Sequence, residues 1–142
     1  MDNTLDFIED QTFSDARKKI GTPPLQTEKE LFNLYYYITS LLPLEGAVAE
    51  FGVYQGHSAA FISKFIEDTP FYLFDTFTGM PEVSNRIDIA HSNTCKNTYI
   101  GKVKRVLRDC PNINIVAGLF SEVCNKPEYK DLEFSFVHMD VD

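Results

Sequence analysis

The sequence predicts an α/β protein with a doubly wound, mainly parallel sheet. Four short apolar segments have the length and composition of buried strands, and the segments between the first three have the apolar spacing of amphipathic helices. Alternation of strands and helices requires crossover connections, which make the strands parallel and cover both faces of the sheet. The 142 residues, 44% of them hydrophobic, are enough for one globular domain.

The charge and composition of the chain argue against several classes of partner. With 21 acidic and 13 basic residues the net charge is −8, so the sequence offers no basic surface for nucleic acid or anionic lipid. No apolar run approaches the roughly 18 residues of a membrane span, and the acidic start MDNTLDFIED is unlike a secretory signal. The three cysteines have neither metal-site nor disulfide spacing. We therefore expect a cytoplasmic protein with reduced thiols that binds neither nucleic acid nor membranes.

The domain is expected to begin at the first long helix. Thr27 and Glu30 form a capping box, and apolar residues recur at helical spacing from there to Pro43. The preceding residues 1–26 are predicted to be an N-terminal extension with a short helix and a linker. Residues 27–142 are predicted to form the domain itself.

The remaining elements alternate between strand and helix. Each predicted strand is a short apolar run, and each predicted helix repeats apolar residues at intervals of three and four. In chain order we expect a strand at 46–52, a helix at 57–68 with Ser58 near its N-cap, a strand at 71–75, a helix at 99–110, and strands at 112–120 and 134–142. The polar stretch 76–94 is too long for a simple connection and is predicted to be a binding loop or lid.

The turn after the first strand combines an acid with two glycines. In a doubly wound sheet, ligands bind beyond the carboxyl ends of the strands, near the reversal of strand order, and glycines permit the backbone conformations of such a turn. A dinucleotide site would need glycine where the chain has Tyr54 and His57. The negative charge of Glu50, beside Gly52 and Gly56, instead favours a ligand with a cationic amino acid portion. A purely structural turn is also compatible with this pattern.

The end of the second strand carries another acid. Asp75 lies 23 residues after Gly52, where a carboxylate can accept hydrogen bonds from both hydroxyls of a ribose. A nucleoside joined to an amino acid indicates S-adenosylmethionine. The alternative interpretation of Asp75 is a solvated cap or turn residue.

Four segments, in this order, resemble the macrocin O-methyltransferase family, also called the TylF family: AEFGVYQGHSAAFI, FYLFDTFTGMPE, VAGLF and FSFVHMDVD. The similarity covers about residues 27–142, and DTFTGMP followed by HMDVD is more specific than the glycine turn. The resemblance implies a Rossmann-like fold of the class I S-adenosylmethionine-dependent methyltransferase type. It also implies methylation of a hydroxyl on a sugar or another small natural-product acceptor.

The resemblance implies roles for individual residues. Cofactor-binding residues would be Glu50, Gly52, Gly56 and Ser58 at the methionine portion, Asp75 at the ribose, Thr76, Phe77, Gly79 and Met80 at the adenosine, and Gly118 with Phe120 closing the pocket. Asp140 would be a ligand of Mg²⁺, and Asp142 a candidate general base. On the predicted last strand both aspartates share one face with His138, which we interpret as a packing or hydrogen-bonding residue. A hard cation beside a carboxylate can acidify a sugar hydroxyl and remove its proton.

The chain reaches only four of the seven strands that the resemblance implies. We therefore expect a domain truncated after strand four, with further metal ligands and most of the acceptor pocket beyond Asp142. Two alternatives stay open. One is a Rossmann-type nucleotide-binding module without methyl transfer, and the other is a non-catalytic fragment that needs a partner chain, or a second copy in a homo-oligomer, to complete its sheet.

Overall fold

A computed structural model describes residues 10–20, 25–41, 44–79 and 96–141. The strands are β1 (Ala47–Phe51), β2 (Phe71–Asp75), β3 (Ile113–Ala117) and β4 (Phe134–Met139). The helices are α1 (Gln11–Lys19), α2 (Glu28–Leu41), α3 (His57–Ile62), α4 (Ile100–Val106) and α5 (Phe120–Val123), with a 3₁₀ turn at Pro127–Tyr129. All strand pairs are parallel, so the predicted α/β, Rossmann-like fold is confirmed. No helix in these ranges is both long and apolar enough to cross a bilayer.

The strand order is β3-β2-β1-β4. The chain moves outward from β1 through β2 to β3, and it then returns across the sheet to place β4 on the other side of β1. The order therefore reverses between β1 and β4, which makes the carboxyl end of β1 the topological switch point. Glu50 and His138 are direct partners in the register of these two strands.

The larger core lies between one face of the sheet and helices α1 to α4. Its fully buried side chains include Leu31 and Ile38 of α2, Phe61 of α3, and Phe71 of β2. Phe13, Ala16 and Ile20 of the N-terminal segment belong to the same core. The short helix predicted in this N-terminal extension is α1, which packs against α3 and α2.

A smaller core occupies the other face of the sheet. Its buried members are Ala49, Phe74, Val116 and Val123, the last of which belongs to α5. Cover on both faces explains why the strand sequences are continuous apolar runs without strict alternation of polar residues.

The capping box of α2 is present, but the next two helices are shorter than predicted. Thr27 N–H donates to Glu30 Oε2 at 2.7 Å, and Glu30 N–H to Thr27 Oγ1 at 3.3 Å. The prediction that α3 continues to residue 68 is wrong, because the chain turns after Ile62 in order to enter β2. Phe65 is nevertheless buried within that turn. Apolar spacing therefore identified the buried residues correctly and the end of the helix incorrectly.

Candidate functional site

A cleft with a volume of about 1120 Å³ runs along the carboxyl ends of the strands and continues between α2 and β4. Eight of the predicted site residues line it: Gly52, Ser58, Asp75, Thr76, Gly79, Gly118, Phe120 and Asp140. Three others do not line it: Glu50 and Phe77 are buried, and Gly56 packs against Val103 of α4. Met80, Asp142 and most of the predicted lid lie outside the described residues.

The turn between β1 and α3 has a left-handed backbone at three positions. The φ angles are +84° at Gly52, +49° at Tyr54 and +81° at Gly56. Tyr54 carries a side chain in a conformation that normally favours glycine, so it needs support from its surroundings. The hydroxyl of Thr98 donates to the carbonyl oxygen of Tyr54. The side-chain amide of Gln55 donates to the carbonyl oxygen of Asn97, the residue before Thr98.

Asp75 ties this turn to the end of β2. Its Oδ2 atom accepts from the backbone N–H groups of Val53 and Tyr54, both at 2.8 Å. Its Oδ1 atom accepts from the N–H of Phe77 at 2.7 Å, with the Thr76 hydroxyl at 3.4 Å. The single hydrogen of the Thr76 hydroxyl is directed instead at the carbonyl oxygen of Gly79, at 2.8 Å. Three of the roughly four lone-pair positions of the carboxylate are therefore filled, and about one remains for a ligand hydroxyl. The sequence correctly predicted that Asp75 lies at the strand end, but it did not predict the contacts of Asp75 with the turn.

The two glycines of the turn allow close packing of other elements. A Cβ atom on Gly52 would lie 1.9 Å from the carbonyl oxygen of Asp140, and a Cβ on Gly56 would lie 3.3 Å from a methyl group of Val103. From the sequence, these glycines were expected only to permit the backbone conformation of a ligand-binding turn. In the structure their neighbours are the end of β4 and helix α4.

A buried carboxylate lies directly behind the cleft. Glu50 is 0% exposed, and its Oε1 atom accepts from the Ser58 hydroxyl at 2.5 Å and lies 3.0 Å from Nδ1 of His138. Its Oε2 atom has no hydrogen-bond partner among the described residues. Ser58 and His138 both line the cleft, so Glu50 reaches it only through them. His138 is thus a hydrogen-bonding residue, as its sequence interpretation proposed.

Glu50 and His138 perturb each other's protonation. Burial raises the pKa of Glu50, although the hydrogen bonds and charge of its partners oppose this. Burial alone would lower the pKa of His138, but the hydrogen bond and charge of Glu50, with a further contribution from Asp140, raise it above its ordinary value. Because the two groups are in direct contact, they titrate as a pair.

This pair predicts how stability depends on pH. A group with a higher pKa in the folded protein binds its proton more tightly there, so its stabilisation is complete below the unfolded pKa and is lost as the pH rises through the folded one. For His138 that loss begins above the unperturbed value of 6.5. We expect the free energy of unfolding of the parent to fall, relative to His138→Gln, as the pH rises from that unperturbed value through the raised pKa of His138.

Urea denaturation of both proteins across this range tests the prediction. Burial and, to a smaller extent, the charge of Lys102 lower the pKa of His57, so its contribution to stability changes with pH in the opposite direction. Because His57 is present in both proteins, the comparison cancels that contribution. Parallel stability curves for parent and variant would contradict the coupling.

Aromatic side chains form one wall of the cleft. The rings of Phe51 and Phe74 stack at 4.6 Å and 7°, and Phe120 meets Phe51 edge-on at 4.8 Å. Phe120 was predicted from its motif, whereas Phe51 and Phe74 were not. Phe51 and Phe74 could have been identified from the sequence by their positions at the ends of the first two strands. Such a wall can stack against a planar base.

Other lining residues were not predicted, and their positions depend on long-range packing. Tyr37 comes from α2, Thr98 from the segment before α4, and His138 from β4. Nothing in the local sequence patterns of Tyr37 and Thr98 indicates a shared site, and His138 was expected only to share a strand face with Asp140. Only the assembly of the sheet and helices brings them to one cleft.

The described residues do not fit a magnesium site by themselves. Asp140 is exposed and lines the cleft, but no group of three or more His, Cys, Asp or Glu side chains in the described ranges could hold a metal ion. Magnesium in proteins requires near-octahedral coordination, largely by oxygen atoms. Asp142, the second predicted acid, lies outside those ranges.

No model of a known protein family matches the chain, and no curated protein is similar enough to count as a relative. A functional assignment therefore depends on the geometry of the cleft and on the motifs in its lining.

Proposed function

We propose that the chain binds S-adenosylmethionine in this cleft and acts as an O-methyltransferase on a hydroxyl of a sugar or another small natural product. One observation carries the choice of cofactor. In a dinucleotide site, backbone N–H groups at the turn after the first strand receive the phosphates. Here the N–H groups of Val53 and Tyr54 are both occupied by Asp75. This favours a nucleoside ligand without phosphates.

The charge of the cleft supports the same choice. The described lining contains the acids Glu30, Asp75 and Asp140 and no lysine or arginine. A diphosphate would find no lysine or arginine in the described lining to balance it, whereas the sulfonium and ammonium groups of S-adenosylmethionine are positive. The cleft therefore favours a ligand of that charge.

Each part of the ligand has a suitable surface. The amino acid portion would lie at the glycine turn beside Ser58, and one ribose hydroxyl would use the remaining lone-pair position of Asp75. The base would pack against the aromatic wall that includes Phe51 and Phe74. A volume of about 1120 Å³ leaves room for an acceptor in the part of the cleft between α2 and β4.

The proposed reaction transfers a methyl group between sulfur and oxygen. S-adenosylmethionine supplies a methyl group on a positively charged sulfur. As the acceptor oxygen bonds to that carbon, the carbon–sulfur bond breaks and the hydroxyl proton passes to a base. The chain's own contribution is to align the hydroxyl with the sulfonium and exclude water. The resemblance assigns the base to Asp142 and a metal contact to Asp140.

Titration calorimetry with S-adenosylhomocysteine and with NAD tests the cofactor. We expect heat of binding from S-adenosylhomocysteine and none from NAD at the same concentration, because Asp75 occupies the N–H groups of Val53 and Tyr54 and the described lining has no lysine or arginine for the phosphates. Binding of NAD without S-adenosylhomocysteine would instead indicate a nucleotide-binding module of another kind.

A panel of glycosides, assayed by release of S-adenosylhomocysteine, tests the transfer itself. Product from at least one glycoside, abolished by omitting the acceptor, is the expected result. Cofactor binding without transfer to any member of the panel would favour the non-catalytic alternative.

A further inference from the structure

We propose that Thr98 holds Tyr54 in its left-handed conformation, and that the cleft binds its ligand tightly only while this contact is made. In this proposal Thr98 is a positioning residue, because it acts on the ligand through the backbone of Tyr54. The inference rests on the proposed function and deepens it, since it adds to the site a residue from the segment before α4.

Tyr54 is the residue of the turn whose conformation most needs support. Within residues 52–56, the other two left-handed positions are glycines, whereas Tyr54 has a side chain at a φ of +49°. A side chain makes this region of backbone conformation unfavourable, and an unsupported tyrosine prefers a negative φ. The turn therefore keeps its shape only if other contacts favour it.

Two hydrogen bonds fix the conformation of Tyr54. Its N–H donates to Asp75 Oδ2 at 2.8 Å, and its carbonyl oxygen accepts from the hydroxyl of Thr98. The N–H and the carbonyl belong to the two planar peptide units that flank the Cα atom, and the φ and ψ angles set the orientation of one plane against the other. A change to negative φ would therefore disturb at least one of the two bonds.

This support comes from a distant part of the chain. Thr98 lies 44 positions after Tyr54 and is only 6% exposed. The preceding residue, Asn97, accepts from the side-chain amide of Gln55 at 3.1 Å. The start of α4 and the segment before it are thus docked against the turn, and the Thr98 hydroxyl is the group that bonds to the strained residue.

The contact matters for the ligand because its members belong to the site. Tyr54, Asp75 and Thr98 all line the cleft. If Tyr54 relaxed, the peptide units on its two sides would turn against each other. Asp75 on one side and Gly56, which packs against Val103, on the other could then not both keep their present contacts with the turn. The proposed ribose site would lose its shape.

Titration with S-adenosylhomocysteine of the parent and three threonine variants tests the proposal. Thr98→Val keeps the shape of the side chain without its hydroxyl, and its affinity should fall about tenfold. Thr98→Ser keeps the donor and should stay within about twofold of the parent. Thr39→Val is the control, because that hydroxyl donates to a backbone carbonyl of α2 at 2.7 Å and does not line the cleft. Equal affinity of Thr98→Val and the parent would overturn the inference.

A second set of variants tests whether Thr98 acts through Tyr54. Glycine adopts a positive φ without support, so Thr98→Val should cost less than about twofold in affinity when it is combined with Tyr54→Gly. Comparison within the Tyr54→Gly background cancels any contact of the tyrosine ring with the ligand. A tenfold loss in both backgrounds would contradict the inference. If Thr98→Val alone unfolded, recovery of the fold by Tyr54→Gly would support the inference, and failure to recover would overturn it.

A measurement without ligand reports the conformation directly. Residual dipolar couplings in nuclear magnetic resonance spectra give the orientation of the two peptide units beside Tyr54. They should fit a positive φ in the parent and in Thr98→Ser, but not in Thr98→Val. Couplings of Thr98→Val that match the parent would overturn the inference even if S-adenosylhomocysteine binds. If S-adenosylhomocysteine does not bind the parent, the proposed function fails, and the couplings still decide whether Thr98 holds the turn.

Discussion

Substitution of Gly52 by alanine is expected to lower the free energy of unfolding by about 3 kcal/mol or more. The new Cβ atom would lie 1.9 Å from the carbonyl oxygen of Asp140 and 2.8 Å from its carbonyl carbon. A φ of +84° adds strain for any residue with a side chain. Relief of the clash requires either the turn or the end of β4 to move, and both form the cleft. Urea denaturation measures the loss.

Gly101→Ala is the matched control for this substitution. Gly101 lies within α4, and its new Cβ would approach only ring atoms of Tyr99, at 3.1 and 3.3 Å. The Tyr99 side chain is 52% exposed and can move aside. Alanine is favoured over glycine in a helix by up to about 1 kcal/mol, so this variant should be neutral or more stable. Equal stability of Gly52→Ala and the parent would show that β4 does not approach the turn as described.

Asp75→Ala is expected to affect both stability and ligand affinity. Three backbone N–H groups, those of Val53, Tyr54 and Phe77, would lose their acceptor, and we expect a destabilisation of about 2–4 kcal/mol. The variant would also lose the proposed contact with a ribose hydroxyl. Urea denaturation followed by titration with S-adenosylhomocysteine measures the two effects separately.

Asp75→Asn separates the turn from the ligand. An amide keeps one acceptor oxygen, so this variant should lose less stability than Asp75→Ala, while its affinity for S-adenosylhomocysteine should still fall about tenfold. Asp131→Ala removes an exposed acid that does not line the cleft, and it should change neither quantity. Unchanged affinity in a folded Asp75→Asn protein would remove Asp75 from the ribose site. Unchanged stability in Asp75→Ala would show that the turn does not need the carboxylate.

Local sequence patterns predicted the fold because the determinants of its elements are local. Apolar runs such as 71–75, in alternation with amphipathic helices, are typical of strands buried on both faces of a parallel sheet covered by helices. The capping box at Thr27 and Glu30 fixed the start of α2, because its partners are three residues apart. The end of α3 was predicted incorrectly because Phe65 is buried in a turn as well as it would be in a helix.

The membership of the cleft was also largely predictable, since the carboxyl ends of parallel strands meet at one edge of a sheet. Gly52, Asp75 and Gly118 follow or end successive strands and line the cleft together. Their contacts were not predictable. The sequence assigned Asp75 to a ligand, whereas three of its hydrogen bonds go to backbone N–H groups.

The sequence by itself therefore determined an α/β chain with a parallel sheet and a glycine turn at the end of its first strand. The tertiary structure decided that β4 lies beside β1, and the detailed chemistry of the site follows from that pairing. It places Glu50 opposite His138, 88 positions away, and brings the carbonyl of Asp140 against Gly52. The physical reason is that strand order depends on how crossover connections bury apolar surface over the whole chain, and no local pattern specifies it.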